Sequence, residues 1–80
     1  MMTNREKYDK VFLSTFEIEE SFLNDKLVYT SVKKWDSVGH MAMIARLEEA
    51  FDIMMETDDI IDFSSYIKGM EIMKKYGVTL

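Results

Sequence analysis

The chain has 80 residues, no cysteine and a formal net charge of −5 at pH 7. A chain of this length forms one small domain with one compact core, and its hydrophobic fraction of 48% argues against disorder. The missing cysteines exclude a disulfide framework and thiolate metal sites. The acidic charge disfavours nucleic acid and anionic membranes as partners and favours basic protein surfaces. We therefore expect a single domain over residues 1–80.

The first ten residues are polar and charged, unlike the apolar centre of a signal peptide. No apolar run approaches the roughly 20 residues of a membrane span. The sequence therefore predicts a cytoplasmic protein without a membrane span.

A first helix is predicted over residues 4–16. Thr3 and Glu6 have the spacing of a capping box, which marks a helix start. Apolar residues then recur at spacings of three and four, as they do on the buried face of a helix. These residues are Tyr8, Val11, Phe12 and Phe16.

Residues 17–36 show no single period, although apolar residues are scattered along them. This pattern predicts a packed connection with a short helical turn near residues 19–23. Trp35 is the only tryptophan, and we expect it to fill a partly buried position that fixes the loop before Ser37.

The second helix is predicted to begin at Ser37 or Val38 and to end near Phe51. Serine is a favoured N-cap, so we assign that position to Ser37. A helix N-terminus offers unpaired N–H groups and the positive end of the helix dipole. An anionic phosphate ester on Ser37 would therefore be well placed.

Helical periodicity gives this second helix two apolar stripes. The core stripe contains His40, Met43, Ile44, Leu47 and Phe51. The outer stripe contains Val38, Met41, Ala42 and Ala45, with Glu48 and Glu49 beside it. A surface helix needs only one apolar stripe, so the outer stripe is a candidate docking surface for enzymes that must reach Ser37, and the family resemblance given below favours this interpretation. The alternative is a helix that a small bundle buries on two sides.

The last third of the sequence predicts two more helices. Thr57-Asp58-Asp59 is typical of a helix start and precedes a short third helix over residues 58–62. Ser64 or Ser65 then caps a fourth helix, and Gly77 suits the position just after its end. Its inner side is predicted to hold Tyr66, Ile67, Met70, Met73 and Tyr76.

The predicted fold is an all-α four-helix bundle, with three longer helices, a short third helix and a long first loop. Methionine is flexible and fills irregular space in cores. Four of the eight methionines are expected there: Met43, Met54, Met70 and Met73.

His40 is the only histidine. It follows Ser37 by three residues, so a Ser–His contact is conceivable, but we expect a boundary histidine that packs near Trp35 or bonds to loop backbone. One histidine without cysteines supports no zinc site. The acids around residues 52–59 lack the alternation and the glycine of a calcium loop. We therefore predict neither catalytic nor metal-binding residues.

Asp36-Ser37-Val38 resembles the Asp-Ser-Leu signature of acyl carrier proteins. The stretch from Leu47 to Ile53 resembles the second half of that family's recognition helix, at the right distance from the serine. The resemblance extends from about residue 11 to residue 76, and it implies the same four-helix bundle.

The resemblance also implies a mechanism. A phosphopantetheinyl transferase would attach 4′-phosphopantetheine to Ser37, with Asp36 helping to orient the transferase and its metal. The carrier would be a monomer and not itself an enzyme. It would hold acyl groups as thioesters for acyl-loading and acyl-transferring enzymes.

Two departures from the family bear on the pathway. Gly39 and Ala42 stand where general fatty-acid carriers usually have acids, and Arg46 adds a positive charge. Trp35-Asp36-Ser37 with His40 is similar to dedicated carriers of specialised pathways, so we expect a role in fatty-acid-like, lipid, polyketide or saccharide-modification biosynthesis. An aminoacyl (peptidyl-type) carrier, an unmodified interaction module and a small hydrolase that uses Ser37 and His40 remain alternatives.

Overall fold

The computed structural model describes residues 1–80 and contains four α-helices and one short 3-10 helix. The helices are α1 (Asn4–Phe16), α2 (Ser37–Phe51), α3 (Thr57–Asp62) and α4 (Tyr66–Lys75), and the 3-10 helix spans Glu20–Phe22. This architecture confirms the predicted all-α bundle with a short third helix and a long first loop. None of its helices combines the length and the apolar character needed to cross a bilayer.

The start of α1 is the predicted capping box. The Thr3 hydroxyl accepts a hydrogen bond from the Glu6 N–H at 3.1 Å, and the Glu6 carboxylate accepts one from the Thr3 N–H at 2.9 Å. The helix ends at Glu17, which adopts the left-handed conformation with φ 53°. The apolar stripe of α1 is buried as predicted, because the four aromatic and aliphatic side chains that define it face the core.

Trp35 lies at the centre of the core. Its side chain is completely buried, so the sequence was wrong to expect partial exposure. The Phe16 ring stacks on it with centroids 4.9 Å apart, and the Phe12 ring meets it edge-on at 5.7 Å. Aromatic pairs of this kind add to the stability that comes from burial itself. The loop before α2 is therefore fixed by the largest side chain in the chain.

The long first loop is tied to the corner between α3 and α4. The Tyr29 N–H donates to the Ser64 carbonyl at 2.8 Å, and the Tyr66 N–H donates to the Leu27 carbonyl at 2.9 Å. These two bonds form an isolated antiparallel bridge across Val28. They place the loop beside α3 although the two segments are far apart in sequence.

The prediction for Met54 was wrong, because Met54 is 85% exposed and Met55 is buried in its place. The chain between α2 and α3 is not helical here. Successive side chains of an extended segment point in opposite directions, so only one of two neighbouring methionines can face the core. Met43 and Met73 are buried as predicted, and Met70 is half-buried.

Ile67 was also misplaced by the sequence, since it is 44% exposed while Ile72 is buried. The buried face of α4 is centred on Gly69, where an added Cβ would collide with the Phe63 ring and the Tyr8 hydroxyl. This close approach leaves Ile67 on the outer side of α4. Ser65, one of the two predicted caps, accepts the capping bond from the Lys68 N–H at 2.9 Å, and Gly77 has the expected positive φ of 79°.

Candidate functional site

Ser37 is the first residue of α2, and Asp36 is the N-cap. The Asp36 carboxylate accepts a hydrogen bond from the Gly39 N–H at 2.8 Å, so the assignment of the cap to Ser37 was wrong. Both residue types are good caps, but a carboxylate also interacts favourably with the helix dipole. Ser37 is exposed, and its hydroxyl has no hydrogen-bond partner within the chain.

The N–H groups at the start of α2 remain available to a ligand. Those of Ser37 and Val38 make no hydrogen bond within the chain. Unpaired N–H groups and the dipole together favour an anion at this end of a helix. The site therefore combines a free hydroxyl with local donors for an attached phosphate.

Gly39 allows the preceding loop to pass close to α2. A Cβ at this position would collide with the backbone carbonyl of Lys34. Any larger residue at this position would require a shift of that backbone. The glycine is therefore a requirement of the tight loop that carries Trp35 and Asp36 to the start of the helix.

His40 joins three segments of the chain. The Trp35 indole N–H donates to His40 Nδ1 at 3.0 Å, and His40 Nε2 lies 2.8 Å from the carbonyl oxygen of Ile60. Because an indole nitrogen can only donate, Nδ1 must accept and Nε2 must carry the proton. The imidazole and indole planes are nearly parallel, with an interplanar angle of 12° and centroids 6.3 Å apart, as expected for rings joined edge to edge by this hydrogen bond. His40 therefore packs near Trp35 as predicted.

A groove of about 300 Å³ opens beside Ser37. His40 and Met41 of α2 line one side of it, and its lining contains no acidic or basic side chain other than the imidazole. Sequence reasoning did not assign the five other lining residues to the site: Tyr29, Ile60, Ile61, Phe63 and Ser64. No local pattern marks them, because the loop bridge and α3 bring them to Ser37 from distant parts of the chain.

The outer stripe of α2 lies outside the core. Val38 is 77% exposed and Met41 is 54% exposed, while Ala45 is exposed and Ala42 is half-buried. Burial of α2 on two sides is therefore excluded. Ile61 of α3, which is 71% exposed, extends this apolar surface across the groove. Contiguous exposed apolar surface is typical of interaction sites.

The two acids at the end of the outer stripe differ in their surroundings. The Glu48 carboxylate accepts a hydrogen bond from the Met55 N–H at 2.9 Å, so it helps to fix the turn after α2. Glu49 is exposed and has no partner in the chain. Arg46 donates to the Thr15 hydroxyl at 2.8 Å. Glu49 is therefore the acid that is free to meet a partner.

The structure brings together no group of three His, Cys, Asp or Glu side chains that could hold a metal ion. Asp59, one of the acids near the third helix, pairs with residues at the end of α4. Its carboxylate is buried and accepts hydrogen bonds from Lys75 at 2.6 Å and from the Tyr76 hydroxyl at 2.5 Å. This acid therefore fastens α3 to α4.

No protein-family model, curated protein or solved structure matches this chain. What the chain can do is therefore inferred from the chemistry around Ser37. The site presents an exposed hydroxyl, a free helix N-terminus, an uncharged groove and an apolar surface within one small region.

Proposed function

We propose that this protein is a carrier that is modified on Ser37 with 4′-phosphopantetheine and that is not itself an enzyme. The observation that carries the proposal is the exposed, unpartnered hydroxyl of Ser37 at the rim of an uncharged groove. The resemblance of Asp36-Ser37-Val38 to the attachment signature of acyl carrier proteins supports the same conclusion. When bound, the arm supplies the thiol that holds acyl cargo as a thioester and that a chain without cysteine lacks.

The residues around Ser37 suit the phosphate end of such an arm. The free N–H groups of Ser37 and Val38 can donate to a phosphate oxygen, and the helix dipole favours its negative charge. The groove offers the rest of the arm an uncharged surface, with Tyr29 and Met41 on its walls. A neutral, flexible arm is compatible with that lining.

Asp36 has a second function in this proposal. Only one of its carboxylate oxygens is used, in the bond from Gly39. The other oxygen has no partner in the chain, and the side chain is exposed. It can therefore meet the metal or a basic group of the phosphopantetheinyl transferase that approaches Ser37. Asp36 thus both shapes the helix start and is available to orient the modifying enzyme.

The outer stripe of α2 is the proposed docking surface. Val38, Met41, Ala42 and Ala45 would meet the transferase and the acyl-loading and acyl-transferring enzymes. Of the two predicted rim acids, Glu49 is free to pair with a basic group, whereas Glu48 is already bonded to the turn after α2. We therefore assign the charged part of the rim mainly to Glu49.

The alternatives differ in what they require of Ser37. A hydrolase needs a base next to the serine, but both ring nitrogens of His40 have other partners. An unmodified interaction module does not need the free hydroxyl. An aminoacyl carrier would use the same arm and scaffold as an acyl carrier for fatty-acid-like, lipid, polyketide or saccharide-modification pathways. The loading enzyme would choose between these cargoes.

Modification can be tested directly by incubating the protein with a broad-specificity transferase, coenzyme A and Mg²⁺. We expect intact-mass measurement to show one added phosphopantetheine group, and Ser37→Ala to abolish that increase. Alanine is a good helix former, so the variant should stay folded. Ser64→Ala is the matched control, because Ser64 is an exposed serine that lines the same groove. Modification that persists in Ser37→Ala would refute the assignment.

A further inference from the structure

We propose that this carrier leaves its cargo outside the core, and that His40 is the residue that keeps it there. This inference rests on the proposed function. We refer to the hydrogen bonds that His40 makes with the Trp35 indole and with the Ile60 carbonyl as the His40 latch. The latch joins the loop, α2 and α3 at the inner wall of the groove beside Ser37.

The groove ends against rings that are already packed. Phe63 lines it and is completely buried, and its ring meets that of His40 edge-on with centroids 6.3 Å apart. Behind it, Phe12 stacks on Phe63 at 6.2 Å and contacts Trp35. On its other side the Phe63 ring lies against Gly69, where not even a Cβ would fit. A chain that entered the core would therefore have to displace Phe63.

An acyl chain could also enter the core if α3 separated from α2. The His40 latch opposes this separation. Moving α3 outward would break the bond between His40 and the Ile60 carbonyl. Turning the imidazole aside would leave the indole N–H of fully buried Trp35 without an acceptor. Buried polar groups without partners are strongly disfavoured. Each movement would therefore cost a hydrogen bond as well as apolar contact.

The dimensions of the groove are consistent with cargo that stays outside the core. The groove has a volume of about 300 Å³ and is open to solvent, so it offers little cover to a long chain. Two hydroxyls on the lining, those of Tyr29 and Ser64, have no hydrogen-bond partner in the chain. They can bond to carbonyl, hydroxyl or amide groups. The groove thus offers hydrogen-bonding partners to the arm and does not shelter a long alkyl chain.

Thermal unfolding of loaded forms tests the inference. The transferase would load Ser37 with arms carrying acetyl, hexanoyl or hexadecanoyl groups, and intact mass would verify each product. We expect the three unfolding midpoints to agree within about 2 °C, because no methylene is buried. A sequestered chain would stabilise the folded state with every methylene, and hexadecanoyl would raise the midpoint by more than about 10 °C. Such a rise, independent of protein concentration, would overturn the inference.

Two variants test the latch itself. In His40→Ala we expect the hexadecanoyl form to unfold at a higher temperature than the acetyl form, because the seam between α2 and α3 can open. Ile67→Ala is the matched control, since it truncates an exposed apolar side chain of α4 outside the groove and should keep the midpoints equal. Equal midpoints in His40→Ala would overturn the role of the latch, while the series in the unaltered protein still tests where the cargo lies.

The proposed function and this inference fail in different ways. If no arm is added to Ser37, the carrier function is contradicted and so is everything that rests on it. If arms are added and the unfolding midpoint rises with acyl length in the unaltered protein, only the inference about the cargo is overturned.

Discussion

The free hydroxyl of Ser37 depends on its neighbour. Two adjacent residues, Asp36 and Ser37, are both of types that cap helices, and the sequence led us to assign the cap of α2 to Ser37. The structure gives the cap to Asp36, whose carboxylate bonds to the Gly39 N–H. Because Asp36 is the cap, Ser37 lies in the first turn of α2. Its hydroxyl makes no hydrogen bond that the fold requires. The chemistry of the site thus follows from a competition between neighbouring side chains.

Gly39 has a structural role that the sequence pattern alone did not reveal. In the sequence it stands out only as a position where the carrier proteins that the chain resembles usually have an acid. In the structure it is the one residue type that lets the Lys34 carbonyl approach α2 so closely. This contact belongs to the loop and not to the helix pattern, so helical periodicity could not reveal it.

Gly39→Ala is therefore expected to destabilise the fold. At an open helical site the same change would stabilise the protein by about 0.5–1 kcal/mol, because alanine is the better helix former. Here the added methyl must displace the Lys34 backbone, and overpacking of this kind costs about 1–3 kcal/mol. Urea unfolding followed by the fluorescence of Trp35 measures the difference. A stabilised variant would show that the loop yields easily and that the close contact has no consequence.

The helices themselves were predicted well wherever local signals were strong. The capping box at Thr3 and the aromatic period of α1 gave both ends of that helix correctly. The errors at Met54 and Ile67 have a different origin. Each depends on which side of a short segment faces the core, and that is decided by packing against other elements. Periodicity cannot decide this in a non-helical turn or around a close approach such as Gly69.

The contact between α3 and α4 is a further feature that sequence reasoning missed. Asp59 was predicted only as an acid in the first turn of α3. The structure buries it and surrounds its carboxylate with Lys75 and the Tyr76 hydroxyl. The hydrogen bond from Lys75, together with that from Tyr76, lowers the pKa of Asp59 against the opposing effect of burial. The same pairing raises the pKa of Lys75.

This network predicts how stability depends on pH. A carboxyl group whose pKa is lowered by folding stabilises the native state above its unfolded pKa, about 3.9 for aspartate. That stabilisation is lost as the pH falls from there through the folded value. Asp59→Asn should therefore be less stable than the unaltered protein at pH 7, and the difference should shrink towards pH 2. Thermal unfolding between pH 7 and pH 2 provides the measurement.

Asp58→Asn is the control for that experiment. Asp58 lies in the same first turn of α3 but is exposed and makes no ion pair or side-chain hydrogen bond in the structure. We expect its removal to have the smaller effect at pH 7. If the two variants behaved alike, the stability would come from the helix dipole and not from the bonds between α3 and α4.

The groove beside Ser37 is a feature of the whole molecule that the sequence could not predict. Its walls come from the first loop, α2 and α3, and they meet because the Tyr29 N–H bonds to the Ser64 carbonyl. Such pairings between distant backbone groups leave no local pattern. The outer stripe of α2 was predictable, since it follows from helical period alone, but its extension by Ile61 was not.

If the outer stripe is the docking surface that we propose, its apolar and charged groups predict how a partner would bind. Apolar anchors at the centre of an interface usually dominate affinity, while exposed charge pairs contribute only about 0.2–1 kcal/mol each. Met41 belongs to the outer stripe, lines the groove beside Ser37 and is 54% exposed, whereas Glu49 is the one free rim acid. We expect docking to depend mainly on Met41.

Met41→Asp should therefore weaken binding of the transferase more than Glu49→Gln does, by about 1 kcal/mol or more. Ile67→Asp is the matched control, because it places the same charge at an exposed apolar site on α4, outside the docking surface. Transferase kinetics at increasing salt measure both effects, and activity should fall only gently, since salt screens exposed charges but hardly affects apolar burial. A steep loss of activity with salt, or a larger effect of Glu49→Gln, would show that charge and not apolar contact holds the partners.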